Sequence, residues 1–419
     1  MTNPFGVRSV INASATLTVL GGSLMPPPAL KAMADAAAHF VDLPELHDRV
    51  GERLAELTHN EAACVTSGAA AAITLTVASC IGEPAQAFPA DAEVVMFAGQ
   101  RNGYDYSARI TGARIVEIGP SIAELQEALV RRPACVLWFA GAHLATGALP
   151  IEDVVRAARE LDPPAPNTST SSSSTSNSPT ANGATSSSPA PNNPSPGSPA
   201  PNSSAPNSPT RNSPTLVGSA AVPVIVDAAA QIPPTSSLWR FTRDVGADAV
   251  IFSGGKGLRG PQASGLVLGK QWIVDRCRAH ASPNQEIGRG MKVGKEELLA
   301  LLAAVEWTLE QDEEAVIAGY EQIVDRWIVG LSGLPGVVVA RGYPSEAGQP
   351  HGRAIVRLST TCKWTRDALV QALWDGDPRI AVGTFRVPDD SIALNPQTLE
   401  PGEDTVVLDA LVRLLSRVS

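Results

Sequence analysis

The sequence predicts an α/β protein built on a mainly parallel sheet covered by helices on both faces, and three observations carry that expectation. Short runs of consecutive apolar residues recur along the chain with helical stretches between them, the pattern of strands buried on both sides. Several of these runs end in a polar residue and a small-residue turn, as at Val65-Thr66-Ser67-Gly68, Val226-Asp227-Ala228 and Phe252-Ser253-Gly254-Gly255-Lys256. A chain of 419 residues with 44% hydrophobic content can bury a large core in two or three domains.

Strands are expected at Ala63–Thr66, Val94–Ala98, Arg114–Ile118, Cys135–Phe139, Val224–Asp227, Ala249–Ser253 and Gly265–Leu268, with helices between most of them. The helical spacing of Leu298, Leu301, Leu302, Val305 and Leu309 predicts one long helix leading out of this region. Beyond it, Gly336–Ala340, Ala354–Leu358 and a terminal helix from Thr405 read as a small α/β domain. The expected organisation is an N-terminal segment at 1–60, a large domain at 61–295, and a linking helix with the small domain at 296–419.

One stretch does not fit a globular pattern. From 163 to 215 the chain is almost entirely Ser, Thr, Asn, Pro, Ala and Gly, with Arg211 its one charge. Such a composition cannot bury enough surface to offset the entropy of ordering. It reads as a disordered insertion between the helix Ile151–Leu161 and the strand that leads to Asp227.

The chemistry centres on Lys256, where an apolar strand runs into a loop holding Gly254, Gly255, Gly257 and Gly260. Desolvation disfavours an ammonium, so a lysine at such a strand end is paired or partly neutral, and a neutral amine condenses with an aldehyde. The glycines are expected to let a flat cofactor approach, while Ser253 and Arg259 supply a hydroxyl and a cation for an anionic group. A surface lysine in a flexible turn is the plainer alternative. Asp227 ends another apolar strand and is placed either to pair with a protonated pyridine nitrogen or to cap the turn after it. Thr66, Ser67, Gly68 and Ala69 open a small-residue helix, where they form either a phosphate cradle or an ordinary cap. Phosphate turn, carboxylate and lysine, in that order within one α/β pattern, point to pyridoxal 5'-phosphate.

The motifs resemble those of the fold-type-I pyridoxal-phosphate enzymes related to selenocysteine synthase (seryl-tRNA selenium transferase), and among them the shorter relatives that include ammonia-lyases. The resemblance rests on Val10-Ile11-Asn12-Ala13-Ser14-Ala15-Thr16, Leu20-Gly21-Gly22-Ser23, Val65-Thr66-Ser67-Gly68-Ala69, Arg101-Asn102-Gly103-Tyr104-Asp105, Val226-Asp227-Ala228-Ala229-Ala230-Gln231, Phe252-Ser253-Gly254-Gly255-Lys256 and Lys292-Val293-Gly294-Lys295-Glu296-Glu297. It implies Lys256 as the Schiff-base lysine, Asp227 as partner of the ring nitrogen, the Thr66–Ala69 turn as the phosphate cup, and an N-terminal segment reaching toward the site. The ring-stacking position of such enzymes falls at Gln100 or Arg101, with Tyr104 the nearest aromatic. Ala15, where relatives have glycine, and Thr58-His59-Asn60 depart from the pattern.

Four further residues are site candidates. Gln231 is placed to bond the cofactor's phenolic oxygen or to line the pocket. Asn12 and His143 are candidate substrate contacts, His143 as an acid or base or as a plain loop residue. Arg386 is the first candidate for clamping a substrate carboxylate, in competition with Arg353 and Arg357.

Composition excludes several classes. A net charge of −10 argues against a polyanionic partner. The five cysteines form no metal-like spacing and read as reduced thiols, the six histidines show no zinc pattern, the first residues lack the basic-then-apolar signature of a signal peptide, and no apolar run is long enough to span a bilayer. A cytoplasmic homo-oligomeric enzyme acting on a small amino substrate is the expectation. It would act as a lyase on an amino acid or amino sugar acid through an α-carbanion. The alternatives are selenium transfer on seryl-tRNA, for which the full-length enzymes carry a preceding domain, and a catalytically silent protein that keeps the fold.

Overall fold

Apolar strands alternate their side chains between two cores, and this alternation builds the central layer of the computed structural model, which describes residues 6–84, 88–141, 144, 146–160 and 221–416. Val224 and Val226 face one core while Ile225 faces the other; Val250 and Phe252 likewise oppose Ala249 and Ile251. Both faces are covered, which is why these strands read as unbroken apolar runs.

The central sheet has seven strands: β2 (Ala62–Thr66), β3 (Glu93–Phe97), β4 (Arg114–Ile118), β5 (Cys135–Phe139), β6 (Val224–Asp227), β7 (Ala249–Ser253) and β8 (Gly265–Gly269). Their spatial order is β2-β8-β7-β6-β5-β3-β4. The pairs from β7 through β4 are parallel, and β8 runs antiparallel between β2 and β7. The expected mainly parallel α/β architecture is the one observed, with strand ends within a residue of those expected.

Two more sheets complete the fold. A three-stranded antiparallel sheet contains β9 (Val337–Gly342), β10 (Arg353–Leu358) and β12 (Ser391–Leu394) in the order β12-β10-β9. Near the N-terminus β1 (Val10–Ala13), which periodicity alone did not reveal, pairs in parallel with β11 (Arg379–Val382). A third core, with Trp327 fully buried in it, joins these strands to the helices that pack on them.

The helix expected from the leucine spacing is Lys295–Glu310, and a second helix, Glu313–Leu331, follows it. Gln311 is extended, and Asp312 starts the second helix by accepting the Ala315 amide at 3.0 Å. The leucine pattern is helical on its own side of that cap, so spacing alone does not disclose the break. The stretch 163–215 lies outside the described residues. No described helix is long and apolar enough to cross a membrane.

Candidate active site

Register brings the expected residues to one edge of the sheet. Thr66 pairs with Gly265 and Gly265 with Ser253, so the carboxyl ends of β2 and β7 flank the start of β8. Asp227, the last residue of β6, pairs with Ile251 of β7 and Phe139 of β5. The carboxyl edge of an open α/β sheet is where ligands bind.

At this edge the helix α3 (Ala69–Ile81) begins with Gly68 at its N-cap and no capping side chain. The Thr66 hydroxyl, one alternative for that cap, instead donates to the Gly68 carbonyl at 3.0 Å. Gly68 has φ +109°, and a Cβ added there would meet nothing within 4 Å. No side chain caps the leading amides of α3, and free helix N-terminal amides favour an anion.

Asp227 is 7% exposed, and its Oδ1 accepts the Ala229 amide at 2.9 Å. Its Oδ2 has no hydrogen-bond partner among the described residues, which leaves it for an outside donor. Burial pushes this carboxyl upward, while the Ala229 amide and the Lys256 charge pull it down. Lys256 is half-buried, and burial lowers its ammonium; the charges of Asp227 and then Glu346 oppose that shift. A carboxylate oxygen left open, a lysine inclined to lose its proton and an uncapped helix fit the ring nitrogen, aldehyde and phosphate of pyridoxal phosphate.

The glycines around Lys256 are required by the packing of the loop itself. A Cβ on Gly254, Gly255, Gly257 or Gly260 would overlap Ser264, Gln262, the Ile232 carbonyl or Leu301, respectively. Arg259, expected to hold an anion, is committed elsewhere: its Nε donates to the Leu24 carbonyl at 2.8 Å, it pairs with Glu400 at 3.3 Å, and it lies over Trp307. Ser253 is half-buried at the end of β7, beside the lysine loop.

The remaining candidates separate into engaged and exposed groups. The guanidinium of Arg101 is held by Asp105 at 2.5 Å and by Glu117, an engagement that competes with stacking on a ring. Gln100 is fully buried, with both amide atoms bonded to the backbone of Phe139 at 3.0 Å, and Tyr104 is exposed. The Asn12 side chain shapes its own turn, donating to the Ala15 carbonyl and accepting the Ser14 amide, which leaves its second Nδ2 proton for a further acceptor. Gln231 donates to the Ala347 carbonyl at 2.7 Å. Arg386 is exposed, with its guanidinium 4.5 Å from the Phe385 ring, and Arg357 pairs with Asp390 at the surface. His143 lies outside the described residues.

Sequence reasoning missed the segment 345–352 between β9 and β10. Gln349 donates to the Ala230 carbonyl at 2.9 Å, reciprocating the bond from Gln231, so the segment is tied to the turn after Asp227. It carries Glu346, whose Oε2 accepts from Ser345 Oγ and from Asn395 Nδ2, each at 2.8 Å. Asn395 follows the apolar strand β12, the same signal that singles out Asp227. Glu346, in an irregular loop, has no such signal.

No protein-family model matches the chain. The chain is 30% identical to a 5'-C-glycyluridine monooxygenase-decarboxylase of Streptomyces sp, over 96% of this chain and 89% of that protein. It is 28% identical to a D-glucosaminate-6-phosphate ammonia lyase of Salmonella typhimurium, over 97% and 95%. A solved D-glucosaminate-6-phosphate ammonia-lyase superposes with a TM-score of 0.71, at 24% identity, covering 98% of this chain and 96% of that one. An L-seryl-tRNA(Sec) selenium transferase of Desulfomicrobium baculatum matches at 28% identity over 41% of this chain and 39% of its own length. The full-length match at 30% identity, the shared architecture and the order of the motifs together show that the chain belongs to the selenocysteine-synthase-like family of fold-type-I pyridoxal-phosphate enzymes.

Proposed function

We propose that this protein uses pyridoxal phosphate to eliminate ammonia from a small amino acid or amino sugar acid. The observation that carries the reading is the opposition of Lys256 and Asp227 at the sheet edge, each the main charged influence on the other. When bound, the cofactor supplies an electron sink for the pair released from a bond at the substrate's α-carbon.

The protein's own groups do the rest. Lys256, its ammonium disfavoured by burial, would hold the cofactor's aldehyde as a neutral amine, and its Nζ would serve as the base for the α-proton. Asp227, with Oδ1 fixed by the Ala229 amide, would offer its carboxylate to the cofactor's ring nitrogen. Thr66, Ser67, Gly68 and Ala69 would hold the phosphate at the uncapped start of α3, with Ser253 and Gln231 as further cofactor contacts. Overall, a β-hydroxy-α-amino acid gives a 2-keto acid and ammonia, because the water lost at the β-carbon returns in hydrolysis.

Borohydride reduction followed by peptide mass spectrometry tests the anchor, with a phosphopyridoxyl mass expected on Lys256. Screening hydroxyamino acids and phosphorylated amino sugar acids for keto acid and ammonia tests the reaction. The 30% identity to a monooxygenase-decarboxylase favours one second reading, in which the bond broken at the α-carbon is the one to the carboxylate and dioxygen is consumed. Oxygen uptake and carbon dioxide release without ammonia would decide for it.

A further inference from the structure

One short turn, residues 228–232, joins the two groups on which the site depends. At its start the Ala229 amide holds Asp227 Oδ1 at 2.9 Å. At its end the Ile232 carbonyl lies against Gly257, the residue after Lys256, so closely that a Cβ there would overlap its oxygen. Neither the Ala230 nor the Ile232 carbonyl accepts a backbone amide among the described residues. Both are met by side chains from the C-terminal sheet instead. Gln349 Nε2, in the loop before β10, donates to the Ala230 carbonyl at 2.9 Å, and Gln397 Nε2, just past β12, donates to the Ile232 carbonyl at 3.1 Å. Gln231 returns the tie by donating to the Ala347 carbonyl at 2.7 Å.

The two glutamines of the C-terminal part serve the turn through their donors alone. Gln349 is 2% exposed, and the amide oxygens of both Gln349 and Gln397 are buried without a hydrogen-bond partner. A buried acceptor left unmet opposes folding, so a contact that served stability only would be built from a side chain that strands nothing. What the two amides share is their target. The turn's own backbone supplies the Gln231 amide to the Ala228 carbonyl at 3.0 Å, and β7 gives the Ser253 amide to the Ala229 carbonyl at a long 3.3 Å. The outer half of the turn is therefore held by the glutamines.

We propose that Gln349 and Gln397 are positioning residues, which clamp the turn 228–232 so that the Asp227 carboxylate is aimed at the cofactor's ring nitrogen. This rests on Asp227 being the partner of that nitrogen and Lys256 the cofactor-bearing lysine. The test titrates apoprotein with pyridoxal phosphate and with its 1-deaza analogue, in which a carbon replaces the ring nitrogen, and reads the ratio of the two dissociation constants. Wild type should prefer the nitrogen-bearing ring about tenfold or more, the scale of one charge-assisted hydrogen bond, and Asp227→Asn should remove most of that preference. Gln349→Met and Gln397→Met keep the length of the side chain without its amide. Each should lower the ratio about threefold, and the double variant should approach Asp227→Asn. A role confined to stability would weaken both cofactors equally and leave the ratio where it was. Either single variant tests the clamp, so the failure of one to fold does not remove the test. A preference that survives both substitutions and their combination, while Asp227→Asn removes it, overturns the clamp. Failure of the underlying reading shows separately, as a wild type without preference or the absence of a borohydride-fixed label on Lys256, and the clamp falls with it.

Discussion

The hydroxyl of Ser23 donates to the carbonyl oxygen of Lys256 at 2.6 Å, so the N-terminal segment is stitched to the loop that carries the lysine. Gln262 adds a second stitch by donating to the Thr18 carbonyl at 2.8 Å. Gly22 lies between them at φ +74°, and a Cβ there would overlap the Gly255 carbonyl. Gly22→Ala is therefore expected to displace the lysine loop and to weaken cofactor binding at least about tenfold, a cost of roughly 1–3 kcal/mol in strain and overlap. Ser23→Ala should cost less, about 1 kcal/mol for one hydrogen bond. Cofactor titration of the two apoproteins checks the order, and equal affinities would show that the stitch does not shape the site.

Removing the charge of Asp227 should act on both the cofactor and the lysine. Asp227→Asn is expected to lower turnover by about two orders of magnitude or more, the scale at which acid–base support is lost. In the apoprotein the Asp227 charge favours the Lys256 ammonium, so its loss should let Lys256 deprotonate at lower pH. Reductive labelling of Lys256 as a function of pH reads this directly. A profile unmoved, or moved to higher pH, would contradict the opposition of the two groups.

A further pH effect arises away from the site, at His47 on the helix Leu43–Leu57. Its ring is 9% exposed with Nε2 unpartnered, and burial together with the Arg278 charge pushes its pKa from 6.5 to about 4, against the pull of Asp48. The folded pKa lies below the unfolded one, so the unfolded chain binds the proton first as pH falls. Stability present above pH 6.5 is then lost progressively between 6.5 and about 4. The full effect is about 3 kcal/mol. His47→Gln should flatten this part of the stability curve in urea unfolding at stepped pH, and an unchanged slope would remove His47 as its cause.

The central sheet was legible because its strands are short apolar runs buried on both faces, and because Thr66, Asp227 and Ser253 each mark a strand's carboxyl end. Parallel pairing then gathers strand ends along one edge, so the order of motifs in the chain suffices to foresee their meeting. Glu346 left no local signal because it stands in an irregular loop placed by tertiary packing, whereas Asn395 carried the strand-end signal and only its bond to Glu346 was hidden. Arg353 and Arg386 both stood in the sequence as cations near short strands, and only burial distinguishes them. The glycines near Lys256 were visible, but their reason was not, since it lies in Gln262, Ser264, Ile232 and Leu301.

The stretch 163–215 should be dispensable, and the reason lies in Asp248. Its Oδ1 takes the Arg159 guanidinium and its Oδ2 the Val224 amide, each at 2.8 Å, and the residue is 4% exposed. Arg159 precedes the stretch and Val224 follows it, so one carboxylate pins the chain on both sides. Loop-closure entropy changes slowly with length, so shortening a loop whose ends are already fixed should cost little. Replacing 163–215 with a short Gly-Ser linker should leave the melting temperature within about 2 °C and the cofactor spectrum unchanged. Asp248→Ala, by contrast, strands the Val224 amide and the Arg159 charge, and should cost about 2–4 kcal/mol in either background. The two changes should add, because the linker leaves the Asp248 contacts in place. Insoluble linker protein, or a melting point lower by more than about 5 °C, would show that the stretch makes contacts of its own.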